Sequence, residues 1–150
     1  MCSITRLKDT GAIYFENIQF GFDNYDYRIT QLNEEEAYET IKELWKSNGH
    51  NNSYADFYYY KIDEAAREKV ERVLNKKEKQ YLKDMSHKDE IIFHLDDTLL
   101  RILIKLNYLE VLFSTFYFTR EPCTLWGNYN QEYIIFREKH NIRLVYKRNE

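Results

Sequence analysis

The chain reads as an α+β fold: an antiparallel sheet of about five strands, formed by an N-terminal hairpin and three C-terminal strands, packed against about three helices. Three observations predict it. Aromatic and β-branched segments bounded by turn residues lie toward both ends of the chain. Apolar residues at helical spacing fill the middle. A capping signature opens that middle region at Asn33.

Residues 12–20 (AIYFENIQF) alternate loosely and carry residue types that suit a pleated surface. Gly21, Phe22, Asp23 and Asn24 form a turn cluster, and residues 25–32 return as a second strand, so a hairpin is expected. Asn33 followed by Glu34, Glu35 and Glu36 starts a helix. Asn33 caps free amides, Glu36 holds the capping-box position, and all three acids complement the positive end of the helix dipole. Ala37, Ile41, Leu44 and Trp45 then share one face, and Asn48 with Gly49 ends the helix.

Residues 50–53 are polar and loop-like, and Phe57, Tyr58, Tyr59 and Tyr60 follow as a short strand or as a loop wedged against the core. Asp63 and Glu64 open a second helix with Val70, Val73, Leu74, Tyr81 and Met85 on one side. Its other side mixes Lys, Arg and Glu in the manner of a solvated face. After a restart at Ser86, residues 91–109 keep helical spacing with a stripe wide enough for a largely buried helix. The alternative breaks that helix at Asp96 and Asp97 and leaves residues 91–95 as a strand. Residues 111–119 (VLFSTFYFT) form the strongest strand candidate, ended by Glu121 and Pro122. Turn signals at Gly127 and Asn128 and at residues 139–141 separate two further strands, 132–138 and 142–147. No repeat, low-complexity tract or linker divides the 150 residues, so a single domain is expected.

Composition disfavours several function classes. Lys and Arg number 22 against 25 Asp and Glu, a net charge of -3. A dedicated nucleic-acid binder would need a basic excess for its phosphate contacts, and an acidic DNA mimic a much larger negative one. No apolar run approaches a membrane span, and Arg6 and Lys8 are not followed by the apolar stretch of a secretory signal. A cytoplasmic protein without membrane association is therefore expected. The two cysteines, Cys2 and Cys123, are too few for a disulfide framework or a zinc site of their own. Four scattered glycines build no phosphate loop or dinucleotide fingerprint, and no GxSxG elbow occurs. His87 and His94, seven apart, would share a face of a continuous helix near Asp96 and Asp97, but no HExxH pattern or close histidine pair accompanies them. The two aspartates are expected to begin or punctuate a helix. Neither a metal nor a cofactor is expected.

Tyrosine is the outlier, at 14 residues with 9 phenylalanines and 2 tryptophans. Tyrosine presents a broad apolar ring with a polar tip and is enriched at contact surfaces. Tyr54, Phe57, Tyr58, Tyr59, Tyr60, Trp126 and Tyr129, with asparagines among them, are the expected binding surface for a protein partner. Small single-domain proteins without catalytic motifs are frequent among bacterial and phage inhibitors, immunity proteins and anti-defence factors, which act by occluding a partner's surface. This is the function the sequence favours.

Two alternatives stand beside it. Arg28 on an early strand, Ser114 and Thr115 inside a later one, and Glu132 before an apolar strand resemble the order found in mono-ADP-ribosyltransferases. That resemblance implies an NAD-dependent enzyme in which Arg28 and Ser114 hold NAD and Glu132 is catalytic. The chain departs from the family's pattern at Phe116, where a second serine stands, and at Asn130, where a paired acid stands. The other alternative is a single-stranded nucleic-acid binder using Arg137, Lys139, Arg143, Lys147 and Arg148 with nearby aromatics. An uncovered C-terminal edge strand would also permit pairing into a homodimer.

Overall fold

In the computed structural model, which describes residues 3–139, six strands pair into one antiparallel sheet. They are β1 (Asp26–Gln31), β2 (Ser53–Asp56), β3 (Ile92–His94), β4 (Thr115–Phe118), β5 (Cys123–Gly127) and β6 (Glu132–Arg137), in the spatial order β1-β6-β5-β4-β2-β3. Six helices accompany them among the described residues: α1 (Ile4–Asp9), α2 (Ile18–Asn24), α3 (Glu34–Asn48), α4 (Glu64–Val73), α5 (Lys76–Asp84) and α6 (Asp97–Tyr108). The α+β class is as expected, with one more strand and three more helices. No helix among the described residues is long and apolar enough to cross a membrane.

Register divides the sheet into two faces, because paired residues point to the same side and neighbours along a strand to opposite sides. Tyr133, Ile135, Cys123, Leu125, Phe116, Phe118, Ala55 and Phe93 share one face. This face packs on α3 to α6 in the main core, with Ile41, Val70, Leu74, Leu82, Leu99 and Leu103. In α6, Leu99, Leu100, Ile102, Leu103, Ile104 and Leu106 are all buried, each contributing roughly 1.5–3 kcal/mol.

Ile134, Phe136, Trp126, Tyr117, Tyr54 and Ile92 occupy the opposite face. The chain before β1 covers it. Leu7 of α1 packs with Tyr54, Ile92 and Tyr117, while Ile13 and Phe15 pack with Ile134 and Phe136. The Thr124 hydroxyl donates to the Ile13 carbonyl at 2.7 Å, fixing this cover to β5.

Several expectations are corrected here. The N-terminal hairpin does not form. Alternation holds only through Phe15, after which Asn17 caps α2 by accepting the Gln19 amide at 2.8 Å. Ile18 and Phe22 then turn helically onto the Phe15–Phe136 cluster, joined by Tyr25, the extended residue after the helix, with Gly21 letting the helix lie flat. β1 pairs instead with β6. The helix expected from Asp63 to Met85 is two, because Leu74 is extended and Asn75 opens a fresh capping box with Glu78. Of the two readings of 91–109, the one that breaks the helix at Asp96 and Asp97 holds: Asp96 caps α6 by accepting the Leu99 amide, and Ile92–His94 is a strand. His87 and His94 therefore share no helix. The strand expected at 111–119 begins at Thr115, and the segment 50–53 ends in β2 rather than a loop. β5 was not anticipated. The strand expected at 142–147 lies outside the described residues.

Candidate functional site

Asp56 is the last residue of β2 and is buried against β4, only 8% exposed. One carboxylate oxygen, Oδ1, accepts the backbone N–H of Thr115 at 2.8 Å. A side chain thus takes a donor at the start of β4, where β2 runs out. Burial pushes the Asp56 carboxyl up to about 7 from an ordinary 3.8, against the opposing pull of its hydrogen bonds from Thr115.

Asp56 lies in a cleft of about 370 Å³ on the face covered by the N-terminal segment. Tyr14, Phe15 and Glu16 come from that segment, Tyr58 from the loop after β2, Phe113 from the loop before β4, and Thr115, Tyr117 and Trp126 from the sheet. Phe15 stacks on Trp126 with ring centroids 5.5 Å apart, and Tyr14 lies 5.9 Å from Tyr117. Burial raises the Tyr14, Tyr58 and Tyr117 hydroxyls above their ordinary range. The acids nearby add to this: Glu16 acts most on Tyr14, and Asp56 on Tyr58 and Tyr117. All three remain neutral donors at physiological pH.

The loop carrying Phe113 is fixed from behind. Asn107 of α6 is buried, accepts the Ser114 N–H through Oδ1 at 2.9 Å, and donates from Nδ2 to the Tyr133 hydroxyl at 3.3 Å. Gly127 closes the arrangement, since a Cβ there would stand 2.8 Å from the Asn107 amide nitrogen. At the rim, Phe113 meets the exposed ring of Tyr129 edge-on at 4.8 Å.

The structure sorts the expected binding residues. Tyr58 (37% exposed), Trp126 (half-buried) and Tyr129 (59% exposed) stand at or beside this cleft. Phe57 and Tyr59 are buried in the main core, and the Tyr60 hydroxyl donates to the Leu82 carbonyl. Tyr54 is buried beneath α1. The four consecutive aromatics therefore do not form one exposed patch: they leave the sheet, where Phe57 and Tyr59 turn inward and Tyr58 outward. Asp56, Tyr14 and Phe113 were missed. A carboxylate between an apolar strand and an aromatic run was the available signal.

The enzyme constellation does not assemble. Arg28 pairs with Ile135 and points to the helical face, whereas Glu132 alternates with Tyr133 and points to the other. Ser114 precedes β4, its hydroxyl buried without a partner. For the nucleic-acid alternative, Arg137 and Lys139 are exposed at the end of β6, and Arg143, Lys147 and Arg148 lie outside the described residues. Asp96 and Asp97 act as expected of a helix start, with Tyr81 and Tyr38 hydroxyls as further donors. Among the described residues no group of three metal-ligating side chains comes together.

Comparison with known proteins gives no matching family model, no similar curated protein and no similar solved structure.

Proposed function

We propose that the protein is a small binding module that occludes a surface of a protein partner, using the aromatic rim of the Asp56 cleft. The observation that carries this reading is convergence: Tyr58, Phe113 and Trp126 come from separate segments and line one solvent-facing cleft, and Tyr129 packs on Phe113 beside it. Aromatic anchors around a desolvated pocket are the arrangement that concentrates binding energy, with single anchors worth about 2 kcal/mol or more. Site-specific photo-crosslinking in cells tests it. A benzoylphenylalanine at position 58 or 129 should give a discrete adduct with one protein, and the same group at Lys69 on α4 should not. Equal patterns from all three positions would overturn the reading.

A second reading is favoured by Asp56 itself. A buried carboxyl poised near neutrality among hydroxyls is the arrangement of a general acid or base. It predicts a small organic occupant. A thermal-shift screen of metabolites that stabilises the wild type and spares Asp56→Asn would favour it, and a screen without such a hit would count against it.

A further inference from the structure

We propose that the cleft over Asp56 receives a basic side chain, arginine or lysine, projecting from the protein partner; this rests on the reading of the same rim as a partner surface.

Charge points to it first. Among the described residues, Asp56 and Glu16 are the carboxyls lining the cleft, and no lysine, arginine or histidine lines it. The nearby Lys8 places its ammonium 5.0 Å from the Tyr14 ring centroid and is not part of the lining. The walls point the same way. Tyr14, Tyr58, Tyr117, Phe15, Phe113 and Trp126 surround the carboxyl, and the faces of such rings attract cations, most strongly where water is excluded.

Size and valence complete the case. A cleft of about 370 Å³ takes one long side chain, whereas a helix, about 10–12 Å across, would not enter. A carboxylate offers about four acceptor sites. The donors to Asp56 are the Thr115 groups, so acceptor capacity remains for an ammonium or guanidinium. Without a cation, Asp56 holds its proton until near neutrality, so an incoming basic side chain must displace that proton. Facing Asp56 are Tyr14 and Glu16 from the N-terminal segment, Tyr58 from the following loop, and Thr115 and Tyr117 from β4. The tyrosines stay neutral, and Glu16 adds a second carboxyl at the mouth. Affinity for a basic side chain therefore rises about tenfold between pH 6 and 8.

The chain has 2 tryptophans, so Trp45→Phe leaves Trp126 as the reporter inside the cleft. Capped Gly-X-Gly peptides with X as Arg, Lys, Leu or Glu are titrated at pH 6 and pH 8, following Trp126 emission and the Thr115 amide resonance. The Arg and Lys peptides should move both signals, bind about tenfold more tightly at pH 8, and lose about tenfold or more in Asp56→Asn, whose fold is checked by circular dichroism. Leu and Glu peptides should leave both signals still. A Leu peptide that binds as well as the Arg peptide, unaffected by Asp56→Asn, would overturn the basic side chain while sustaining the aromatic rim. Silence from all four peptides overturns the basic side chain, and the crosslinking at positions 58 and 129 judges the rim independently.

Discussion

Replacing Asp56 by asparagine removes one ionisation from the interior while keeping an acceptor for the Thr115 amide. The folded carboxyl titrates near 7 and the unfolded one near 3.8, so the folded state holds this proton more tightly. Stability from this group is then fully present below about pH 4, falls as the pH rises, and levels off above about 7. At about 1.4 kcal/mol per pH unit the whole loss is about 4 kcal/mol, a large share of the 5–15 kcal/mol that holds a typical domain together. The asparagine does not titrate. Urea unfolding of both proteins at about pH 4.5, 6 and 7.5 isolates the effect, because other titrating groups cancel in the difference. Relative to wild type, Asp56→Asn should gain about 3 kcal/mol between pH 4.5 and 7.5, on top of any constant offset. A difference that stays flat across this range would refute the reasoning, for it would mean that Asp56 is solvated and titrates normally.

Three further outcomes follow from packing and hydrogen bonding. In Gly21→Ala the new methyl would stand 2.5 Å from the Phe15 ring and 2.9 Å from Phe136, so α2 must lift from the sheet; a loss of about 1–3 kcal/mol in thermal or urea unfolding is expected, and an unchanged midpoint would contradict the contact. Asn107→Leu strands the buried Ser114 N–H and should destabilise by about 1–3 kcal/mol, with the Phe113 and Tyr129 resonances shifting more than those of α4. Asn75→Ala removes a reciprocal cap and should lower stability by about 1 kcal/mol, with faster hydrogen exchange confined to the first turn of α5.

What could be read in advance depended on how locally each signal is encoded. The start of α3 was legible because Asn33 and Glu36 satisfy each other's backbone within four residues. The same N-x-x-E spacing at Asn75 and Glu78 was present too, but the continuous apolar stripe around it concealed the break. Residues 12–25 misled for a different reason. The Ile13 and Phe15 alternation is genuine, yet these residues pack onto the face of a sheet instead of pairing within it. Pairing of β1 with β6 depends on a partner some hundred residues away, which no local pattern declares. The candidate site is the least legible part, since Asp56 owes its altered chemistry to burial beneath residues from three distant stretches. At the rim, residue type alone points to Tyr58, Trp126 and Tyr129; their position at or beside one cleft is a property of topology.

The hydrogen bond from Thr124 to the carbonyl of Ile13 joins residues 111 positions apart. The segment that roofs the sheet is thus made early in synthesis, while β4, β5 and β6, on which it rests, come later. Until those strands emerge, Ile13 and Phe15 have no apolar floor beneath them and Asp56 no enclosure, so its carboxyl titrates as any solvated aspartate does. The cleft is in this sense a mark of completion. On the proposed reading, a partner that docks here meets only molecules whose last strands are in place.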